Sequence, residues 1–188
     1  MVRRPSQDRN GGNATHLVLI MRSRRIVLLT TGCALALMVL SSELGKRPLV
    51  FWNSTASVPR GLYLVTHATT LKRGDLVSAW LPTETRALAA ERRYLPPTVP
   101  VIKPVFALSG DTICATESAI VVSGIEVAQK RRSDTAGRSM PSWTGCKSLA
   151  IDQVFLLSTH RPDSFDGRYF GPTERSEIIA VLRPVWTY

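Results

Sequence analysis

A mainly β, barrel-like or folded-sheet domain behind one apolar helix is the fold this sequence predicts, on three observations. Short β-rich runs separated by turn residues recur through most of the chain. One stretch alone combines good helix formers with a proline stop, and one uncharged run lies near the N-terminus. At 188 residues there is room for one moderate domain and a short accessory segment, with enough bulk to bury a core.

The formal net charge of +10 is unevenly placed. In residues 1–25, Arg3, Arg4, Arg9, Arg22, Arg24 and Arg25 face Asp8 alone, so this tail carries half of the excess. It holds no aromatic side chain to stack on bases, so it reads as a basic cytoplasmic flank, and no direct nucleic-acid binding is expected. The run that follows, IVLLTTGCALALMVLSS from Ile26 to Ser42, is uncharged. At ~1.5 Å per residue it reaches about 25 Å against a hydrocarbon core of about 30 Å, the lower end for a spanning helix. A core helix would show a charged face, and this one has none. A cleavable signal peptide, with Ser41 or Ser42 near the cut, and an uncleaved signal anchor both fit. In either case the positive flank orients the rest of the chain out of the cytoplasm.

That placement governs the cysteines. Cys33 lies in the apolar run and reads as a small hydrophobe. Cys114 and Cys146 fall in the exported portion, where oxidising conditions favour a structural disulfide between them. Two cysteines with the scattered His16, His67 and His160 do not make a zinc site, and neither metal nor cofactor is expected.

In chain order, GLYLVT and DLVSAWL are short β-rich runs joined through Arg73-Gly74-Asp75, and they predict a hairpin-like pair. TETRALAAERRYL predicts a short helix with Thr83 as N-cap and Pro96-Pro97 as stop. VPVIKPVFAL predicts a buried strand carrying one charge. AIVVSGIEVA divides into two alternating strands around Ser123-Gly124, a tight-hairpin sequence. QKRRSDTAGRSMPSWTG predicts a polar surface excursion, QVFLLS a strand, and IIAVLRPVW a closing strand.

Three stretches hold candidate chemistry, each beside a plainer reading. Ser57 in TASVPRG precedes a proline and follows Thr55 by two residues; a serine there is most often only a turn residue. Lys103 interrupts an apolar strand; a solvent-facing edge lysine is the commoner case, but a desolvated ammonium has a lowered pKa and serves as a general base near neutrality. DSFDGRYFG gathers Asp163, Ser164, Asp166 and Arg168, which fits a solvated loop with an Asp166 to Arg168 ion pair. A Ser57, His160 and Asp163 or Asp111 hydrolase is the rival constellation, and no Gly-x-Ser-x-Gly elbow supports it.

Taken together, NSTASVPRGLY, IKPVFALSGD and DSFDGRYFG, in that order behind an N-terminal anchor, resemble the boxes of the type I signal peptidases, and within them the branch of conjugative transfer peptidases. The resemblance covers the chain from about Ile26 to its end. It implies a signal-peptidase-like β domain at residues 43–188 in the periplasm, behind the basic tail (1–25) and an inner-membrane anchor (26–42). It also implies Ser57 as nucleophile and Lys103 as general base. Ser164 would orient the amine, Asp166 and Arg168 would brace its loop, and the Thr55 hydroxyl would help form the oxyanion hole. The chain departs from the usual signal peptidase at Ser57-Val58-Pro59, where Ser-Met is common, and at Ser109-Gly110-Asp111, where Pro-Gly-Asp is. Both departures point to the transfer branch, whose implied substrate is a membrane-inserted pilin precursor, cut and in some relatives circularised; the alternatives are a general signal peptidase acting on other exported preproteins and a non-enzymatic periplasmic component of a transfer or secretion apparatus. A serine so soon after the anchor, with Trp52 between them suited to an interface, then acts on a bond emerging at the bilayer surface.

Overall fold

The closing strand organises the domain. The computed structural model describes residues 26–41, 49–66 and 70–188, and these fall in two compact units divided at Pro48/Leu49. The first unit holds a helix, α1, over residues 26–41, uncharged and exposed throughout. Two of its hydroxyls bond back to the helix, Thr30 to the Val27 carbonyl and Ser41 to that of Leu37. Among the described residues no helix is long and apolar enough to cross a membrane. The basic tail, Ser42, His16 and His67 lie outside the described residues.

The second unit is built from β1 (Val50–Asn53), β2 (Gly61–Thr66), β3 (Leu76–Ala79), α2 (Thr83–Glu91), β4 (Val101–Ala107), β5 (Thr112–Ala115), β6 (Ala119–Val122), β7 (Ile125–Gln129), β8 (Gly145–Ser148), β9 (Gln153–Leu156), α3 (Gly167–Phe170), β10 (Thr173–Glu174) and β11 (Ile178–Thr187). The strands form a seven-stranded sheet in the order β1-β2-β11-β3-β4-β9-β10 and a four-stranded sheet in the order β7-β6-β5-β8. The mainly β expectation is met. The predicted pairing of GLYLVT with DLVSAWL is not: β11 lies between them, with Val181 opposite Thr66 on one side and Val77 on the other. The buried Ala180, Val181 and Leu182 of β11 give both neighbours an apolar strand to pack beside, and this long-range pairing displaces the local one.

The helix predicted from TETRALAAERRYL forms, with different ends. Thr83 is already helical, and Pro82 stands at the N-cap without a side-chain bond. The helix stops at Glu91, before the prolines, and Arg93 then takes φ 59°. Ser123 and Gly124 have φ of 50° and 83°, the paired positive values that a two-residue turn matched to strand twist requires, so the β6–β7 hairpin is as predicted. Cys114 and Cys146 sit directly opposite each other on β5 and β8 and are disulfide-bonded. The polar excursion after β7 is largely exposed, but its first residue is buried: Lys130 donates to Thr116 O, Ser142 Oγ and Trp143 O.

One packing contact bears on the site. A cluster of Val58, Tyr63, Ile102, Ala180 and Leu182 lies beneath the Ser57 loop and ties it to β2, β4 and β11. Gly61, at the end of that loop, has φ 146°, and a Cβ there would stand 2.0 Å from the Trp186 carbonyl oxygen. Backbone cannot yield as a flexible side chain does, so Gly61→Ala is expected to destabilise the domain by about 3 kcal/mol; urea unfolding monitored by tryptophan fluorescence measures it.

Candidate active site

Lys103 has its position fixed by strand alternation. Along β4, Lys103, Val105 and Ala107 are all buried at period two, so the amine stands on the core-facing side. The strand is central, flanked by β3 and β9, and Lys103 is 4% exposed, which excludes the solvent-facing edge lysine. Its Nζ donates to Ser164 Oγ at 2.7 Å. Burial above all lowers its pKa from 10.5 to about 8; the Asp166 carboxylate pulls it back up, Arg168 adds to the lowering, and Asp163 opposes it.

The loop that presents Ser164 is braced from below. Asp166 and Arg168 are 0% and 1% exposed. Arg168 Nε donates to Asp166 Oδ1 at 2.7 Å and one terminal nitrogen to Oδ2 at 3.1 Å. The guanidinium also donates to the carbonyls of Gln129, Ser158, Arg161 and Pro162. Asp166 in turn accepts from Ser158 N–H and caps α3 by accepting from the Arg168 amide. The solvated ion pair of the plainer reading is thus an interior one that closes the 158–168 loop.

Ser57 lies half-buried in the turn between β1 and β2. Its Oγ is 3.3 Å from Thr55 Oγ1. No hydrogen bond joins it to Lys103, but both residues line one cleft of about 580 Å³ with Thr55, Asp163 and Ser164. The structure therefore gathers Thr55, Ser57, Lys103, Asp163 and Ser164 at one cleft with the Asp166–Arg168 pair supporting it. Asp163 is half-exposed in an ion pair with Arg161 at 3.2 Å. Asp111 lies elsewhere, paired with Arg73 and accepting from the Leu108 amide at 2.9 Å. Burial pushes its carboxyl up, but the Arg73 side chain and the Leu108 amide together hold it below the ordinary value.

A second, larger groove of about 990 Å³ also borders Ser57 and includes Asp111 and the exposed His160. Among the described residues no hydrogen bond links His160 to Ser57, Asp111 or Asp163, so the rival triad has no relay. The described residues also contain no cluster of metal-ligating side chains.

Sequence reading missed Asn53. This buried residue accepts from Thr55 N–H at 3.0 Å and Thr55 Oγ1–H at 2.8 Å, and its Nδ2 donates to the carbonyls of Thr55, Val58 and Pro59. An Asn two residues ahead of a turn threonine is an Asx-turn signature and was the available clue.

A folded β-sheet unit with a hydroxyl and a buried amine on one cleft, matched by the family model described as signal peptidase, peptidase S26, over residues 22–187, places the chain: it belongs to the signal peptidase S26 family. Among its relatives, Plasmid transfer protein TraF of Escherichia coli is 32% identical over 145 residues, 72% of this chain and 82% of the relative. Conjugal transfer protein TraF of Agrobacterium tumefaciens is 31% identical over 182 residues, 89% and 99% of the two chains. Signal peptidase I V of Bacillus subtilis is 30% identical over 92 residues, 44% and 55%. The resemblance read from the three boxes is met by these matches.

Proposed function

We propose that this protein is a membrane-associated serine endopeptidase of the inner membrane, its catalytic domain in the periplasm, in which Ser57 and Lys103 form the catalytic pair and whose substrate is a membrane-inserted pilin precursor of a conjugative transfer system. The observation that carries the reading is Lys103: a buried amine with a lowered pKa, oriented by Ser164, on the cleft that Ser57 lines. Neutral Lys103 takes the Ser57 proton as the serine oxygen bonds to the scissile carbonyl carbon. The Ser57 amide and the Thr55 hydroxyl donate to the resulting oxyanion, each well-placed donor contributing about 3 kcal/mol. The tetrahedral species collapses, the C–N bond breaks, and the Lys103 ammonium returns its proton to the leaving amine. Water then hydrolyses the acyl-enzyme, or an amine of the substrate attacks it to form a new peptide bond. Likeness to proteins named for plasmid and conjugal transfer supports the choice of substrate.

The test is incubation of a detergent-solubilised pilin precursor with wild-type and Ser57→Ala protein, followed by intact-mass analysis. Loss of the removed segment is expected with wild type alone; a product lighter by one further water marks cyclisation. His160→Ala is expected to retain cleavage within about threefold, whereas abolition there with activity kept in Lys103→Ala hands the chemistry to the rival triad. Full cleavage by Ser57→Ala removes Ser57 as the nucleophile and with it the Ser57–Lys103 pair.

A further inference from the structure

Asn53 is 3% exposed and sits at the end of β1, one turn from the serine, yet the mechanism above gives it no task. Its hydrogen bonds fix more than a loop. The three neighbours of Nδ2 are the carbonyl oxygens of Thr55, Val58 and Pro59, which only accept. The amide nitrogen must face them, and the oxygen must face Thr55. Because Oδ1 only accepts, the contact at 2.8 Å consumes the single Thr55 hydroxyl proton. The 3.3 Å contact between Thr55 and Ser57 then has one possible direction: Ser57 O–H donates and Thr55 Oγ1 accepts.

We propose that Asn53 is a positioning residue that sets this direction, parking the Ser57 proton on Thr55 in the resting enzyme and releasing the Thr55 O–H to the oxyanion during the reaction. The inference rests on the Ser57 and Lys103 reading. When Lys103 has taken the Ser57 proton and the serine oxygen has bonded to the substrate carbon, Thr55 Oγ1 no longer has a donor. Its own O–H turns from Asn53 Oδ1 to the oxyanion. Asn53 Oδ1 retains the Thr55 N–H at 3.0 Å, so the turn stays closed. The swap exchanges a neutral hydrogen bond for a charge-assisted one, which is the stronger. Asn53 is not the sole support of the turn, since the Tyr63 hydroxyl also donates to Pro59 O, at 2.5 Å.

The experiment is a double-mutant cycle on the full-length protein in detergent, with a pilin precursor as substrate and single-turnover cleavage followed by intact mass. Asn53→Ala and Thr55→Val are each expected to lower the single-turnover rate constant at saturating substrate about 100-fold with little change in KM. The double variant is expected within about threefold of the slower single, because Asn53 acts through Thr55. Thr55→Ser restores most of the rate. Multiplicative losses of about 10⁴-fold in the double variant, or an Asn53 effect confined to KM, overturn the proposal. Should Asn53→Ala lose its near-UV circular dichroism, Asn53→Ser decides: its hydroxyl donates to a carbonyl of the turn and still accepts from Thr55, so its rate is expected above that of Thr55→Val, and a rate equal to or below it overturns the proposal. A Ser57→Ala protein that still cleaves defeats the functional reading before Asn53 is tested, so the two failures are told apart.

Discussion

Lys103→Met is expected to abolish cleavage, by about 10⁴-fold, while making the folded domain more stable at neutral pH. The two effects share one cause. An ammonium buried on the inner face of a central strand is penalised by desolvation, and the folded-state pKa falls from 10.5 to about 8. The fall corresponds to about 3 kcal/mol in favour of the neutral form. The unfolded chain binds the proton more tightly than the folded one, so wild-type stability rises with pH, beginning near pH 8 and levelling near 10.5. Methionine fills similar volume and has no charge to desolvate. The stability advantage of the variant is therefore largest below pH 8, at up to about 3 kcal/mol less what Ser164 loses with its donor, and shrinks to little by pH 10.5. Catalysis by the proposed Ser57–Lys103 pair runs the other way: only a neutral amine accepts a serine proton, so the wild-type rate is expected to climb about tenfold per pH unit towards pH 8 and then flatten. Urea titrations at pH 6, 8 and 10 beside a pH–rate profile test both halves. A variant less stable than wild type at pH 6, or a rate flat from pH 6 to 9, removes the buried-base account.

How far the sequence discloses this depends on the distance over which each feature is decided. The three boxes are local strings, and their residues, Ser57, Lys103, Ser164, Asp166 and Arg168, are readable as candidates. Whether Lys103 faces core or solvent is not local. Period-two alternation gives two faces, and which one is buried depends on β3 and β9 flanking β4, with β9 some fifty residues further on. The GLYLVT and DLVSAWL pairing failed for a related reason: turn chemistry at Arg73-Gly74 proposes the nearest partner, while the apolar centre of β11 competes from the far end of the chain and wins both edges. Cys114 and Cys146 were readable from compartment and count because only two cysteines lie in that portion of the chain. Asn53 was readable only as an Asx-turn residue, since its bonds to the Val58 and Pro59 carbonyls form only when the turn folds back onto its amide.

Arg168→Met is expected to destabilise the domain by about 3–5 kcal/mol, the range for removing one partner of a buried ion pair. What remains is a carboxylate, Asp166, with no exposed surface and only the amides of Ser158 and Arg168 to satisfy it. Four carbonyls, those of Gln129, Ser158, Arg161 and Pro162, lose their guanidinium donor at the same time; Ser158 O and Arg161 O keep backbone donors in Arg161 and Ser164, so these lost bonds add a smaller share to the deficit. Replacing both partners, Asp166→Asn with Arg168→Met, leaves no bare charge and is expected to recover part of the deficit. A second readout separates support of the fold from an electrostatic role at the lysine. The Arg168 charge pushes the Lys103 pKa down and the Asp166 charge pulls it up. Removing the arginine alone leaves the carboxylate unopposed, so the amine holds its proton to higher pH and the rising limb of the pH–rate profile moves alkaline. Adding Asp166→Asn takes away the opposing charge and moves the limb back. Urea unfolding supplies the first measurement and the cleavage profile of the surviving folded fraction the second. An arginine substitution within about 1 kcal/mol of wild type contradicts the buried brace, and a limb that stays in place or moves acid contradicts its coupling to Lys103.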